Sequence, residues 1–271
     1  MARLKFPPLQ YVEAGDLRIA YRRTGTGPPL VLLHGAWMDS RAWWYQLAGL
    51  ADEFTVIAWD APGFGGSSDP PETFRLPEYA DVLAGLVRAL GLERPHVLGL
   101  SFGGGLALEL YRRHPDLPAS LLIAGGYAGW AGSLPAEVVQ QRLERFLREI
   151  EHPEDHIRGY VAEFFTSSAS PEDVEAIVAI MAEVRHPGME AITRGFAEAD
   201  LRDVLPTIAV PTLLLWGDAD VRSTPAVGRE FADRIPHARL VLLPGVGHLS
   251  NVDSPSSFDV EVRRFLRSLP T

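Results

Sequence analysis

The chain has 271 residues, 35 acidic against 25 basic side chains, a formal net charge of −10 and no cysteine. The length suits one large α/β domain with an insertion, and a hydrophobic content of 46 % provides a core of normal size. The missing cysteines exclude a disulfide framework, a thiol nucleophile and thiolate metal ligation. The acidic balance argues against nucleic acid and anionic membrane surfaces, which both require a basic face.

The first 16 residues, MARLKFPPLQYVEAGD, lack the apolar run of a secretory leader, and no stretch reaches the length of a transmembrane helix. A cytoplasmic protein is expected. A strand around Tyr11 and a second at 17–23 (LRIAYRR) are close enough to pair antiparallel at a sheet edge. Apolar runs follow at 30–35 (LVLLHG), 55–60 (TVIAWD), 96–101 (HVLGLS), 120–126 (SLLIAGG), 212–218 (TLLLWGD) and 239–245 (RLVLLPG). Most are apolar at nearly every position rather than at every second one, which predicts strands covered on both faces. Helical patterns at 41–51, 77–90, 104–114, 225–235 and 257–269 lie between them. The alternation predicts an α/β fold with a mostly parallel eight-stranded sheet flanked by helices.

From 127 to 204 the alternation breaks and helical segments replace strands. Residues 135–200 hold 14 acidic and 6 basic side chains. That excess reads either as a solvated helical face or as an electrostatic filter over a site. The expected organisation is a core of residues 1–126 and 205–271, with 127–204 as a helical cap inserted between late strands.

The strongest local signal is Gly99-Leu100-Ser101-Phe102-Gly103, directly after one strand and before a helix. A strand turning abruptly into a helix strains its middle residue and projects that side chain from the sheet top. Side chains two positions either side would collide, so glycine is needed there. The helix N-terminus beside Ser101 favours developing negative charge. A serine hydroxyl also requires a base, and the base an orienting acid. Asp218 and Asp220 follow the strand at 212–218, and His248 follows the last strand. Both acids are candidates, and the order Ser, Asp, His fits a nucleophile at this kind of turn. His96, His114 and His237 sit at a strand start or near helix ends. His152 and His156, beside Glu151 and Asp155, read as solvated residues rather than metal ligands, and no metal or organic cofactor is expected.

With HGAW (34–37), DAPGFGGSS (60–68), GLSFGG (99–104), WGDADVRSTP (216–225) and GVGHLSNVDSP (245–255), the chain resembles the α/β-hydrolase superfamily over nearly its whole length. The resemblance selects Asp220 over Asp218. It also implies that the Ala36 and Phe102 backbone N–H groups form an oxyanion hole, where one donor is worth roughly 3 kcal/mol in the transition state. It makes His34 a holder of the oxyanion loop, and Asp60 a stabiliser of a loop near the site. Trp37, beside the oxyanion loop, and Trp130, at the start of the insertion, are candidate pocket residues. Trp43, Trp44 and Trp59 are expected to pack.

Within the superfamily, haloalkane dehalogenases and epoxide hydrolases use aspartate at the elbow, and dienelactone hydrolases use cysteine. Hydroxynitrile lyases of this fold rely on a pocket lysine, whereas the sole lysine here is Lys5. The segment from Asp200 to Pro255 is similar to the 3-oxoadipate enol-lactonase branch. The resemblance thus implies a serine esterase or lactonase acting on a small-molecule ester, an enol-lactone or an acyl-homoserine lactone. A small-molecule receptor of the same fold and a carbon–carbon bond hydrolase are the alternatives.

Overall fold

A computed structural model describes residues 6–167 and 169–270. The strands are β1 (Leu9–Ala14), β2 (Leu17–Thr24), β3 (Pro29–Leu33), β4 (Thr55–Trp59), β5 (His96–Leu100), β6 (Ser120–Ala124), β7 (Thr212–Gly217) and β8 (Arg239–Leu243). They form one eight-stranded sheet in the order β1-β2-β4-β3-β5-β6-β7-β8. As expected, β1 and β2 pair antiparallel at an edge; β2 also runs antiparallel to β4, and the remaining pairs are parallel. Every residue of β4, β6 and β7 is buried, which is why each segment has no polar side chain after its first residue. The edge strands β1 and β8 are partly exposed.

The helices are α1 (Trp44–Gly49), α2 (Leu76–Ala89), α3 (Phe102–Arg113), α4 (Ala136–Glu149), α5 (Ile157–Phe164), α6 (Pro171–Met181), α7 (His186–Glu198), α8 (Pro225–Arg234), α9 (Ser250–Asp253) and α10 (Pro255–Arg267). Helices flank the mostly parallel sheet, with α4 to α7 inserted between β6 and β7. The parallel strands β3, β5, β7 and β8 all end at the same sheet edge, and the loops leaving them carry the candidate site residues. Among the described residues no helix is long and apolar enough to cross a membrane.

One half-buried carboxyl, Asp259, links α10 to α1. The Gln46 side chain donates to Asp259 Oδ1 at 2.9 Å and to the Asn251 carbonyl at 3.1 Å. Burial, only partly offset by Gln46, pushes the Asp259 pKa from 3.8 up to about 6. Because the folded state keeps this proton to higher pH than the unfolded state does, stability falls as pH rises from about 4 to above 6. A shift of that size corresponds to about 3 kcal/mol by neutral pH. Asp259→Asn keeps the oxygen that Gln46 needs and removes the ionisation. The variant is expected to match the wild type near pH 4 and to melt about 5 °C or more higher at pH 7. Asp60 titrates in the same window with the same sign, its pKa pushed to about 6 by burial and by Asp39. Its contribution cancels in the variant-minus-wild-type difference. A difference in Tm that stays flat with pH would overturn the assignment.

Candidate active site

Ser101 occupies the junction of β5 and α3 with φ 54° and ψ −114°, a conformation L-residues rarely adopt. Its amide donates to the Ala124 carbonyl at 2.8 Å, which ties the turn to the end of β6. A Cβ at Gly99 would lie 2.0 Å from the Gly103 carbonyl oxygen, and one at Gly103 2.2 Å from the Leu33 carbonyl oxygen. The turn therefore tolerates no side chain at either position, as its spacing predicts.

Three residues from separate loops meet here. His248, in the loop after β8, lies with Nε2 3.0 Å from Ser101 Oγ. Its Nδ1 is 2.8 Å from Asp220 Oδ2, in the loop after β7. A carboxylate only accepts, so Nδ1 carries the proton and Nε2 accepts from the serine hydroxyl. The second carboxylate oxygen, Oδ1, accepts the Arg222 and Ser223 backbone N–H groups at 2.8 and 2.9 Å. Asp220 is thus held from both sides, and it and His248 are buried. Asp218 is exposed and receives the Gly245 N–H at 2.7 Å, which fastens the loop before His248. Between the two candidate acids, the geometry brings only Asp220 to the imidazole.

The loop after β3 lies against this group, since a Cβ at Gly35 would sit 3.5 Å from Ser101 Cβ. Buried His34 spans that loop, donating from Nδ1 to the Gly35 carbonyl at 2.8 Å while Nε2 accepts the Ala61 N–H at 3.0 Å. Burial lowers its pKa and keeps it neutral, which suits this donor–acceptor role. Asp60 accepts the Ser40 and Gly66 N–H groups, both at 2.8 Å, and so fixes the neighbouring loop. Among the described residues the Ala36 and Phe102 N–H groups have no backbone partner. Phe102 is the first residue of α3, where an amide has no partner within the helix. The next loop residue, Trp37, has φ 67°, unusual for so bulky a side chain, and its buried indole N–H is also unpartnered among the described residues.

Ser101, His248, Ala36 and Phe102 border a cavity of about 40 Å³. Trp37 and Trp130 are among the residues that line it, whereas Trp43, Trp44 and Trp59 are buried elsewhere in the core. A sequence model of the alpha/beta hydrolase family matches residues 30–258.

The chain belongs to the alpha/beta hydrolase family.

A thermophilic esterase from Thermogutta terrifontis superposes with a TM-score of 0.88 at 30% identity, over 97% of this chain and all of that one. The enol-lactonase from Burkholderia xenovorans gives a TM-score of 0.86 at 26% identity, covering 96% of this chain and 100% of its own. The pimeloyl-[acyl-carrier protein] methyl ester esterase of Aeromonas hydrophila is 28% identical across 92% of this chain and 100% of that protein.

In this alpha/beta hydrolase the inserted helices reach the site through aromatic side chains. Phe146 of α4 and Tyr160 of α5 pack on Trp37 at ring separations of 6.3 and 5.4 Å, and Phe164 packs on His248 at 5.8 Å. Phe196 of α7 meets Phe102 at 5.7 Å. Sequence reasoning missed Tyr127, Arg142, Phe146, Phe164, Phe196 and Arg222, all of which line the cavity. The apolar spacing of α4 and α5 marks a buried stripe but says nothing about what it covers. His152 and His156 are exposed or partly exposed and each lies near one glutamate, at 3.7 Å from Glu154 and 3.8 Å from Glu149 respectively.

Proposed function

We propose that this hydrolase cleaves a small carboxylic ester or lactone through a covalent acyl-serine. The observation that carries the reading is the hydrogen-bond chain from Asp220 through His248 to Ser101, beside two backbone amides that have no backbone partner among the described residues. His248 takes the Ser101 proton as the oxygen attacks the carbonyl carbon, and Asp220 holds the imidazole and balances its charge. The Ala36 and Phe102 N–H groups receive the oxyanion. The tetrahedral intermediate collapses, the ester C–O bond breaks, and His248 protonates the departing alkoxide. In a lactone that alcohol stays tethered to the acyl group. Water, activated by His248, then releases the acid and returns the serine proton. Residues 1–126 and 205–271 act as the core that carries these groups, and residues 127–204 act as the cap that shapes the acyl pocket.

Two features support a small substrate. Enzymes that act on esters and on an enol-lactone are among its relatives. The cavity beside Ser101 is narrow, about 40 Å³, which favours short acyl chains. Among p-nitrophenyl esters, acetate and butyrate are expected to turn over faster than octanoate, with simple γ-lactones, acyl-homoserine lactones and an enol-lactone completing the panel. A fluorophosphonate is expected to add a single phosphonyl group to the protein, mapped by peptide mass to Ser101. Labelling at another residue, or no turnover on any member of the panel, would count against the reading.

A further inference from the structure

The geometry points to a substrate that carries a carboxylate on a short acyl chain, with Arg142 as the residue that reads it. The inference deepens the proposed ester or lactone hydrolysis and rests on it.

Arg142 projects from α4 into the wall of the cavity that holds Ser101 and His248. Its guanidinium lies 5.6 Å from the Trp130 ring centre and 5.7 Å from that of Tyr127, two further wall residues. Stacking on rings fixes where the cation sits but leaves its N–H donors unspent. Among the described residues none of those donors has a hydrogen-bonding or carboxylate partner.

That vacancy is unexpected for its surroundings. Residues 135–200 carry 14 acidic side chains against 6 basic ones, so acids to pair with are abundant. Several other arginines of the insertion use them, although Arg148, exposed on the same helix, has no such partner among the described residues. Arg145, one turn further along α4, meets Glu149 at 2.8 Å, and Arg158 meets Glu175 at 3.0 Å. The other cavity cation, Arg222, is neutralised by Glu163. Arg142 differs because its neighbours three and four positions away are Val138, Val139, Arg145 and Phe146, with no acid at helical spacing. A cation held at the wall of an aromatic-lined cavity, with its planar donor fork free, matches a carboxylate in charge and shape. It also supplies the positive charge that an acid-rich insertion otherwise withholds from an anionic substrate.

The test compares the half methyl esters of succinate and glutarate with their neutral dimethyl esters. The wild type is expected to prefer the half esters in kcat/KM. Arg142→Met keeps an apolar stem on the rings without the charge, and should lower the half-ester to diester ratio in kcat/KM roughly 10- to 100-fold. Arg142→Lys, which restores the charge without the fork, should recover part of the ratio. Equal losses on both ester types would show a packing role only and overturn the inference. A wild type that prefers the diesters would overturn it too, while Ser101-dependent turnover of those diesters would leave the hydrolase reading standing. Calorimetry with glutarate itself provides an arm independent of turnover. Binding to the wild type, weakened tenfold or more in Arg142→Met, supports the inference even if no ester is cleaved. No glutarate binding, or equal binding by both proteins, overturns it.

Discussion

Ser101→Ala is expected to lower kcat on the best ester by about 10⁶-fold, while the protein still folds and melts within about 3 °C of the wild type. The fold is spared because alanine keeps the Cβ that already sits at φ 54°, so the backbone of the turn meets no new demand. What is lost structurally is one hydrogen bond to His248, worth about 1 kcal/mol. Catalytically, nothing else in the cavity replaces the hydroxyl: the chain has no cysteine, and its one lysine is Lys5. Residual turnover should come from the oxyanion donors and from binding alone. The double variant Ser101→Ala/His248→Ala is expected to be no slower than either single one, because a base without its nucleophile has nothing to deprotonate. Steady-state rates with thermal melts on the same samples check this. A single variant that keeps wild-type activity removes Ser101 from the mechanism.

The second large effect is Asp220→Asn, expected to cost about 10⁴-fold in kcat through the tautomer of His248. The direction follows from the two backbone amides on Oδ1. An asparagine in the same place keeps its oxygen towards the Arg222 and Ser223 N–H groups, since turning its NH₂ there would set donor against donor. The NH₂ group then faces His248 Nδ1, which must accept. The imidazole proton moves to Nε2 and confronts the Ser101 hydroxyl, where the base is needed. Asp218→Asn is the matched control, because either residue can accept from Gly245. It should leave kcat within about twofold, inside the range of a surface substitution. Equal effects from the two variants would mean that Asp220 does not orient the imidazole.

Much of the architecture was legible in the chain before folding. Continuous apolar runs separated by helical patterns can be buried on both faces only in a covered parallel sheet, and all eight expected strands occur. Boundaries moved where a turn replaced the end of a run. The run at 96–101 ends as a strand at Leu100 because Ser101 is already the turn, and α3 starts at Phe102 rather than 104 for the same reason. Ser101 and His248 could be named because each follows a strand end, and a turn with glycine on either side has a local steric cause.

The choice between Asp218 and Asp220 was of another kind. Both acids follow the same strand two residues apart, and local pattern weighs them equally. The folded loop after β7 separates them, since it carries Asp220 to the imidazole and leaves Asp218 to the Gly245 amide. The pocket wall lay further still beyond sequence reasoning. Phe146, Tyr160, Phe164 and Phe196 look like the apolar stripes of any amphipathic helix.

The sequence by itself determined the sheet, its helical insertion, the strained serine turn and the order of the candidate groups. Those features depend on periodicity, on glycine sterics and on which residues follow a strand, all properties of a short stretch of chain. Only the tertiary structure decided which rings close over Ser101, and that among the described residues Arg142 faces the cavity without an acid. These depend on contacts between segments far apart in sequence, where side-chain partners are set by how helices dock on the sheet rather than by any local pattern.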